Sequence, residues 1–369
     1  MRILVVHPRM SIKGGGERVA IHTMLASLGR GDDVTLLSEE FDVKDFEDFF
    51  GCVGLLNRIS RLTYPPFKPI LGRGLLLYQR LYYYQHEFRR VLPGRSRFDL
   101  VLGTQDVGYT PSINASILQY CYFPEYFSHL HSNPSSPLWK IYYQPARFFY
   151  RNRANLIHQF LSTSDYTRSF VKKIWGREST TLYPPCPIDL YGSLQAQREN
   201  LVVTVGRIVP DKRMHLLVEI ARRLPMFRFV IVGSVDPKGD AYFNSLKKNA
   251  PANVSIVLSP LRRVRDILAK AKVYVHCMEN EHFGITIVEA MAAGCVPVVH
   301  DSGGPKEIVT SNVGYRWRTL QEATDQVSSL MNNEESRERF SKASSERALQ
   351  FSAEAFEASI SSIMRAYEQ

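Results

Sequence analysis

Two carboxylates bracket the stretch "EHFGITIVE". Glu281 stands just before Phe283-Gly284, and Glu289 follows eight positions later in the helix-forming run "ITIVEAMAAG". Placed around the start of a helix, such acids can accept hydrogen bonds from the hydroxyls of a docked group, and sugar or ribose hydroxyls fit them. The backbone N–H groups near Phe283, Gly284 and Ile285 open that helix and can face an anion, and Gly284 permits close approach of the backbone to a ligand. Spacing alone also allows a plainer arrangement, with Glu281 a partner of the helix dipole and Glu289 a solvated helix residue. A second cluster, "GRIVPDKR", sets Arg207, Lys212 and Arg213 just beyond Gly206. Fixed cations at the end of a strand suit a diphosphate, whose charge is otherwise costly to desolvate. A third, "GGPKEIV", follows "VPVVHD" and repeats the arrangement with Gly303 and Gly304.

These residues need strands and helices that carry them to one edge of a sheet. Residues 200–300 supply a regular alternation: strand patterns at "LVVTVGR", "FRFVIVGS", "NVSIVLS", "KVYVHC" and "CVPVVHD", with helical patterns between them. That alternation predicts a doubly wound parallel sheet, in which ligands bind outside the carboxyl ends of the strands. The N-terminal part opens the same way: strand "RILVVH", loop "KGGGER", helix "ERVAIHTMLASLG" and strand "DVTLLS", a βαβ unit. Strand patterns resume at "FDLVLGT", "ASILQYCYF" and "NLIHQFLSTS". The proline-rich and then polar segment 182–200 reads as a linker. The architecture expected is α/β, with two Rossmann-like domains facing across a cleft. Residues 1–185 form an N-terminal domain with a basic-aromatic insert, 186–350 a C-terminal domain, and 351–369 a final helix. His7 ends the first strand and is either near a bound ligand or a satisfied structural histidine. Glu17 starts the first helix as a dipole partner or touches that ligand.

Composition narrows the partners. The chain has 369 residues, 44% of them hydrophobic, enough to bury two cores. Its five cysteines are scattered and never form a C-x-x-C pair, which argues against a disulfide framework or a zinc site and suits a reducing compartment. No signal peptide is visible, since Met1 runs directly into "RILVV", and no apolar run reaches the roughly 20 residues of a membrane span. The net charge of +10 predicts an anionic partner. Nine Arg or Lys against one acid lie in 51–97, and four against none in 126–164, interleaved with aromatics as in "LLLYQRLYYYQHEF" and "PLWKIYYQPARFFYRNR". Rings at the headgroup level and cations on anionic lipid are what a peripheral membrane surface needs. No nucleic-acid motif accompanies them, and His129-x-His131 lacks a third ligand at metal spacing.

The signature E-x-F-G-I-x-x-x-E-A-M-A-A-G-x-V-P-V-V closely resembles that of the family-four retaining glycosyltransferases, which have the GT-B fold. "VVHPRMSIKGGGERV" is similar to that family's N-terminal glycine loop, "VGRIVPDKR" to its diphosphate-gripping segment, and "DSGGPKEIV" to the loop after its signature helix. The resemblance implies that Arg207 and Lys212, past Gly206, hold the donor diphosphate, and that Glu281 contacts the transferred sugar. It places the backbone of Phe283, Gly284 and Ile285 against sugar and phosphate, and Glu289 on the donor ribose. Gly15 and Gly16 let the N-terminal domain come close to the phosphate and the acceptor. It implies no metal and no cofactor beyond the nucleotide sugar itself, in keeping with the lack of an Asp-x-Asp motif. "LQYCYFPEYF" followed by "PLWKIYY" resembles, more narrowly, the dolichol-pathway mannosyltransferases. Those usually carry a histidine where this chain has Tyr122, so Tyr122 is either an acceptor-side residue or a core aromatic. The implied activity is transfer of a sugar, best matched by mannose from GDP-mannose, to a lipid-linked oligosaccharide or other polyprenyl-linked acceptor at the cytosolic face of a membrane. The implied location is cytoplasmic, with peripheral attachment to anionic lipid. A UDP-sugar transferase of the same fold and a nucleotide-sugar epimerase are alternatives. An NAD-dependent oxidoreductase fits less well, because Val19 stands where the third glycine of its fingerprint belongs.

Overall fold

The computed structural model describes all residues except 72–74, 93–97, 125–136, 193–195, 236–238, 259–260 and 369. Arg73, Arg95, Arg97, His129 and His131 of the sequence analysis lie outside the described residues. The chain divides into two units, Met1–Pro185 with Phe356–Gln369, and Cys186–Ala355.

The first unit is built on a parallel sheet. Its strands are β1 (Arg2–Val6), β2 (Asp33–Glu39), β3 (Ser60–Tyr64), β4 (Leu100–Gly103), β5 (Ser116–Cys121), β6 (Gln159–Ser162) and β7 (Ser179–Thr181), in the order β3-β2-β1-β4-β5-β6-β7. Alternate residues of β1 serve opposite faces. Ile3 and Val5 join one buried cluster, with Val19, Ile21 and Met24 of helix Gly15–Gly29. Leu4 and Val6 join another, with Tyr84 and Phe88 of helix Leu76–Val91 and Tyr150 of helix Pro137–Asn155. Period-2 side chains that are apolar on both faces are the mark of a central parallel strand covered on both sides. The basic-aromatic segment was expected to interrupt the sheet, yet it contributes β3. Only Tyr64 of that strand is buried, so the edge carries little apolar signal. Tyr84 and Phe88 are core, and the insert's aromatics are therefore shared between the interior and the surface. Among the described residues, no helix is long and apolar enough to cross a membrane.

The second unit repeats the plan with β8 (Glu199–Val205), β9 (Arg228–Gly233), β10 (Val254–Leu258), β11 (Ala271–His276), β12 (Val296–His300) and β13 (Tyr315–Trp317), ordered β10-β9-β8-β11-β12-β13. In each sheet the first strand of the unit, β1 or β8, is flanked by strands that lead away in opposite directions. The crevice at the carboxyl ends of β1/β4 and of β8/β11 is the switch point at which doubly wound sheets bind ligands.

The final helix is separate from the one before it. Glu334–Ala348 ends in a short 3-10 turn, and a new helix, Ala353–Arg365, begins after Ser352, whose hydroxyl accepts the N–H of Ala355 at 3.1 Å. Serine in extended backbone offers this cap and so restarts the helix. Beyond Ala355 the helix belongs to the first unit, where Phe356, Ile360 and Met364, spaced four apart, enter the core beside Met24 and Tyr120.

Candidate functional site

In the second unit the chain leaves β8 at Gly206 and exposes Arg207. It then forms the 3-10 turn Pro210–Lys212 and passes Arg213 in left-handed backbone (φ 49°). Consecutive residues Lys212 and Arg213 reach different acids. Lys212 Nζ meets Glu281 Oε2, and an Arg213 guanidinium nitrogen meets Glu279 Oε1. A histidine at the end of a neighbouring strand completes each row. His276 Nε2, ending β11, stands 3.6 Å from Glu281 Oε2, and His300 Nε2, ending β12, stands 3.3 Å from Glu279 Oε1. At 3.6 Å the first contact is electrostatic and not a hydrogen bond.

These neighbours decide ionisation. Burial alone would raise the Glu281 carboxyl, but His276 and the Lys212 ammonium more than reverse that, and it is held far below the usual carboxylate range. Burial pushes the His276 imidazole below its ordinary value, against the pull of Glu281. Glu281 is thus a fixed anion beside a neutral ring. Glu289 is buried in helix Ile285–Ala292, one turn from its first residue, closer to the helix start than the spacing suggested. Between the two glutamates lies Tyr274, whose hydroxyl contacts Thr286 Oγ1 at 2.8 Å. Burial first, and then the charges of Glu289 and Glu281, push that phenol well above its ordinary value.

Glycine is required where the loops meet. Gly284 caps the helix at φ 112°, and a Cβ there would lie 2.6 Å from Ile287 Cδ1. Gly304 donates its N–H to Glu281 O at 2.8 Å, and a Cβ on it would lie 2.4 Å from His282 O. The Gly303–Gly304 loop thereby holds the Glu281 loop from behind, and Ser302 Oγ accepts the N–H of Asn280 at 2.8 Å. Phe283 is core, edge-on to Phe351, so only its backbone is available to a ligand.

Gly15, Gly16, Glu17 and Tyr122 belong to the first unit, apart from the unit that carries Arg207, Lys212, Glu281, Phe283, Gly284, Ile285 and Glu289. There the four line one cavity of about 350 Å³ at the carboxyl ends of β1 and β4. Glu17 accepts the N–H of Gly14 at 2.8 Å through Oε2, while its Oε1 lies 3.2 Å from His7 Nε2. His7 is fully buried, and its Nδ1 meets Thr104 Oγ1 at 2.9 Å, so it is a satisfied structural histidine. The Tyr122 hydroxyl donates to the carbonyls of Gly16 (3.1 Å) and Thr104 (3.0 Å), pinning the glycine loop to the turn after β4. Among the described residues no cluster of His, Cys, Asp and Glu is arranged to hold a metal ion.

Sequence reasoning missed His276, Glu279 and His300. The signal available was positional: His7, His276 and His300 each close a β-branched strand, "ILVVH", "VYVH" and "VPVVH".

Residues 192–347 match the family described as glycosyl transferases group 1. A GDP-Man:Man(3)GlcNAc(2)-PP-Dol alpha-1,2-mannosyltransferase of Yarrowia lipolytica is 31% identical over 174 residues, 40% of this chain and 27% of the relative. The Homo sapiens protein of the same name is 26% identical over 198 residues, 47% of this chain and 40% of the relative. The matched part is thus well under half the length of these relatives. Among solved structures, HepE of Anabaena in complex with UDP and glucose superposes with a TM-score of 0.71 at 16% identity, covering 99% of this chain and 100% of that one. WaaG, a glycosyltransferase involved in lipopolysaccharide biosynthesis, gives 0.71 at 15% identity, covering 98% and 99%. The chain has the GT-B fold, and residues 192–347, within its second unit, are similar to the glycosyl transferases group 1.

Proposed function

We propose that the protein is a retaining glycosyltransferase that moves a sugar, mannose from GDP-mannose, to a lipid-linked oligosaccharide or another polyprenyl-linked acceptor. The observation that carries this reading is the Lys212–Glu281–His276 row at the β8/β11 switch point, in the domain that matches the transferase family. The bond that breaks joins the anomeric carbon to a phosphate oxygen, and the departing nucleotide diphosphate gains negative charge. Lys212 has three donors, so it can keep Glu281 while turning another N–H to that oxygen, and Arg207 adds a second cation from the same loop. Glu281, anionic throughout, accepts a sugar hydroxyl, and Glu289 takes the ribose. The glycine loop of the first unit, braced by Glu17 and Tyr122, faces the acceptor.

The same reading has the first unit working against anionic lipid on the cytosolic side. Leu138, Ile141 and Phe148 are 77%, 70% and 70% exposed on a helix that also carries exposed Lys140, Arg147 and Arg151. Apolar residues left in water beside cations suit an interfacial contact. Sedimentation with anionic vesicles tests it. Binding that weakens in Arg147→Glu/Arg151→Glu and in high salt is expected, and unchanged binding overturns the membrane contact.

The experiment for the activity is calorimetric titration with GDP, UDP and NAD, followed by a transfer assay with a polyprenyl-diphosphate-linked oligosaccharide. Tight binding of GDP alone, and mannose transfer lost in Glu281→Ala, are expected. Binding of UDP alone replaces the donor. Binding of NAD with neither nucleotide diphosphate overturns the transferase.

A further inference from the structure

The cavity of the first unit holds three buried polar atoms that the fold leaves unsatisfied: Arg9 Nε, Arg80 Nε and Gln105 Oε1. Buried polar groups are nearly always hydrogen-bonded, so several in one cavity mark a place where a ligand completes the network. Among the described residues neither arginine forms an ion pair. Arg9 follows β1, and Arg80 comes from helix Leu76–Val91, its guanidinium laid over the Phe67 ring at 5.7 Å.

The cavity's two acids already have hydrogen-bond partners in the protein. Glu17 holds Gly14 N and His7, and Asp106 Oδ1 accepts the N–H of Gly108 at 2.7 Å. Two guanidiniums with unused donors therefore set the chemistry, and paired arginines select phosphate geometry. The surroundings add a second requirement. Ile12 lines the cavity and is 45% exposed. Ile70 and Leu71, exposed by 92% and 63%, donate their backbone N–H groups to Gln79 Oε1 at 2.8 and 3.1 Å, which ties this apolar pair to the residue before Arg80. Two arginines in a cavity that Ile12 also lines, with Ile70 and Leu71 held by the residue before Arg80, match a molecule with an anionic head and a hydrocarbon chain.

We propose that this cavity binds the diphosphate of a polyprenyl-linked acceptor through Arg9 and Arg80, with Gln105 accepting a hydroxyl of the first sugar and the isoprenoid lying over Ile12, Ile70 and Leu71. This rests on the transferase reading above, and it assigns to that reading's acceptor the residues that recognise it.

The test titrates the full chain with farnesyl diphosphate in the presence of saturating GDP, with inorganic pyrophosphate in parallel. Farnesyl diphosphate binds despite GDP, more tightly than pyrophosphate, and Arg9→Gln and Arg80→Gln each weaken it about tenfold or more while leaving GDP affinity unchanged. If Arg9→Gln does not fold, Arg80→Gln carries the test alone. Equal affinity for pyrophosphate overturns the lipid assignment. Binding that GDP abolishes, or that neither variant weakens, overturns the site. Failure of the unmodified chain to bind either GDP or UDP would instead count against the transferase reading, so the two failures are distinguishable.

Discussion

Replacing Lys212 with methionine removes the ammonium opposite Glu281 and keeps most of the side chain's volume. The two side chains are only 22% and 14% exposed, so water screens them little. Their coupling should then exceed the ~0.2–1 kcal/mol of exposed pairs. Stranding a fully buried charge costs about 3–5 kcal/mol, and the residual exposure here lowers the expected loss in Lys212→Met to about 2–3 kcal/mol. Glu281→Gln costs less, about 1 kcal/mol, because the flexible lysine can turn to solvent. In the double variant no charge is stranded, and the cycle should return a coupling of about 2 kcal/mol. A chain of two units need not unfold in one step, so the probe must report on one unit. Trp317 is buried in the second unit, and Trp139 and Trp175 lie in the first. Urea unfolding followed by tryptophan fluorescence in a Trp139→Phe/Trp175→Phe background reads the correct transition. Acid gives an independent check. A carboxyl held low in the folded state contributes stability that is complete above its unfolded value of about 4.3 and is lost as pH falls through the folded value. In Lys212→Met that value moves back up, so stability should depend less on pH between about 3 and 5. Losses that add to within about 0.5 kcal/mol, with an unchanged acid profile, refute the coupled row.

Gly304→Ala should cost at least about 2 kcal/mol by urea unfolding and reduce nucleotide binding, because the new methyl meets the His282 carbonyl behind Glu281. Tyr122→Phe removes the hydroxyl that meets the Gly16 and Thr104 carbonyls, and a loss of about 1–3 kcal/mol in the first unit with unchanged GDP affinity is expected by thermal melting and titration. Met364→Ala should destabilise the first unit by about 2–5 kcal/mol while Trp317 reports no change in the second.

All the central strands could be read from sequence, and so could β10 at one edge, whose "VSIVL" is apolar enough to show. β1, β2, β4, β8, β9, β11 and β12 are buried over most of their length and so appear as continuous apolar runs. The other edge strands, β3, β7 and β13, bury one residue each, and nothing in their composition separates them from loop. The site was legible where it depends on backbone: the "FGI" helix start, the paired glycines and the cations past β8 all lie at strand ends. Its wiring was not. Lys212 and Arg213 read as fixed cations for a diphosphate, and only the fold shows that Glu281 and Glu279 engage them, because the partners come after another strand. For the same reason Tyr122, read as either a core aromatic or an acceptor contact, turned out to be a clamp between two backbone carbonyls.

The return of residues 356–369 to the first unit sets a schedule for synthesis. On the ribosome the strands of that unit emerge before the second unit, but the cover over Met24 and Tyr120 is made only after all of Cys186–Ala355. Until translation reaches Met364 the nascent first unit presents an uncovered apolar strip, while the second unit can already close on its own core. The order of completion is thus the reverse of the order of emergence, and a chain interrupted before Phe356 carries its defect in the unit that was made first.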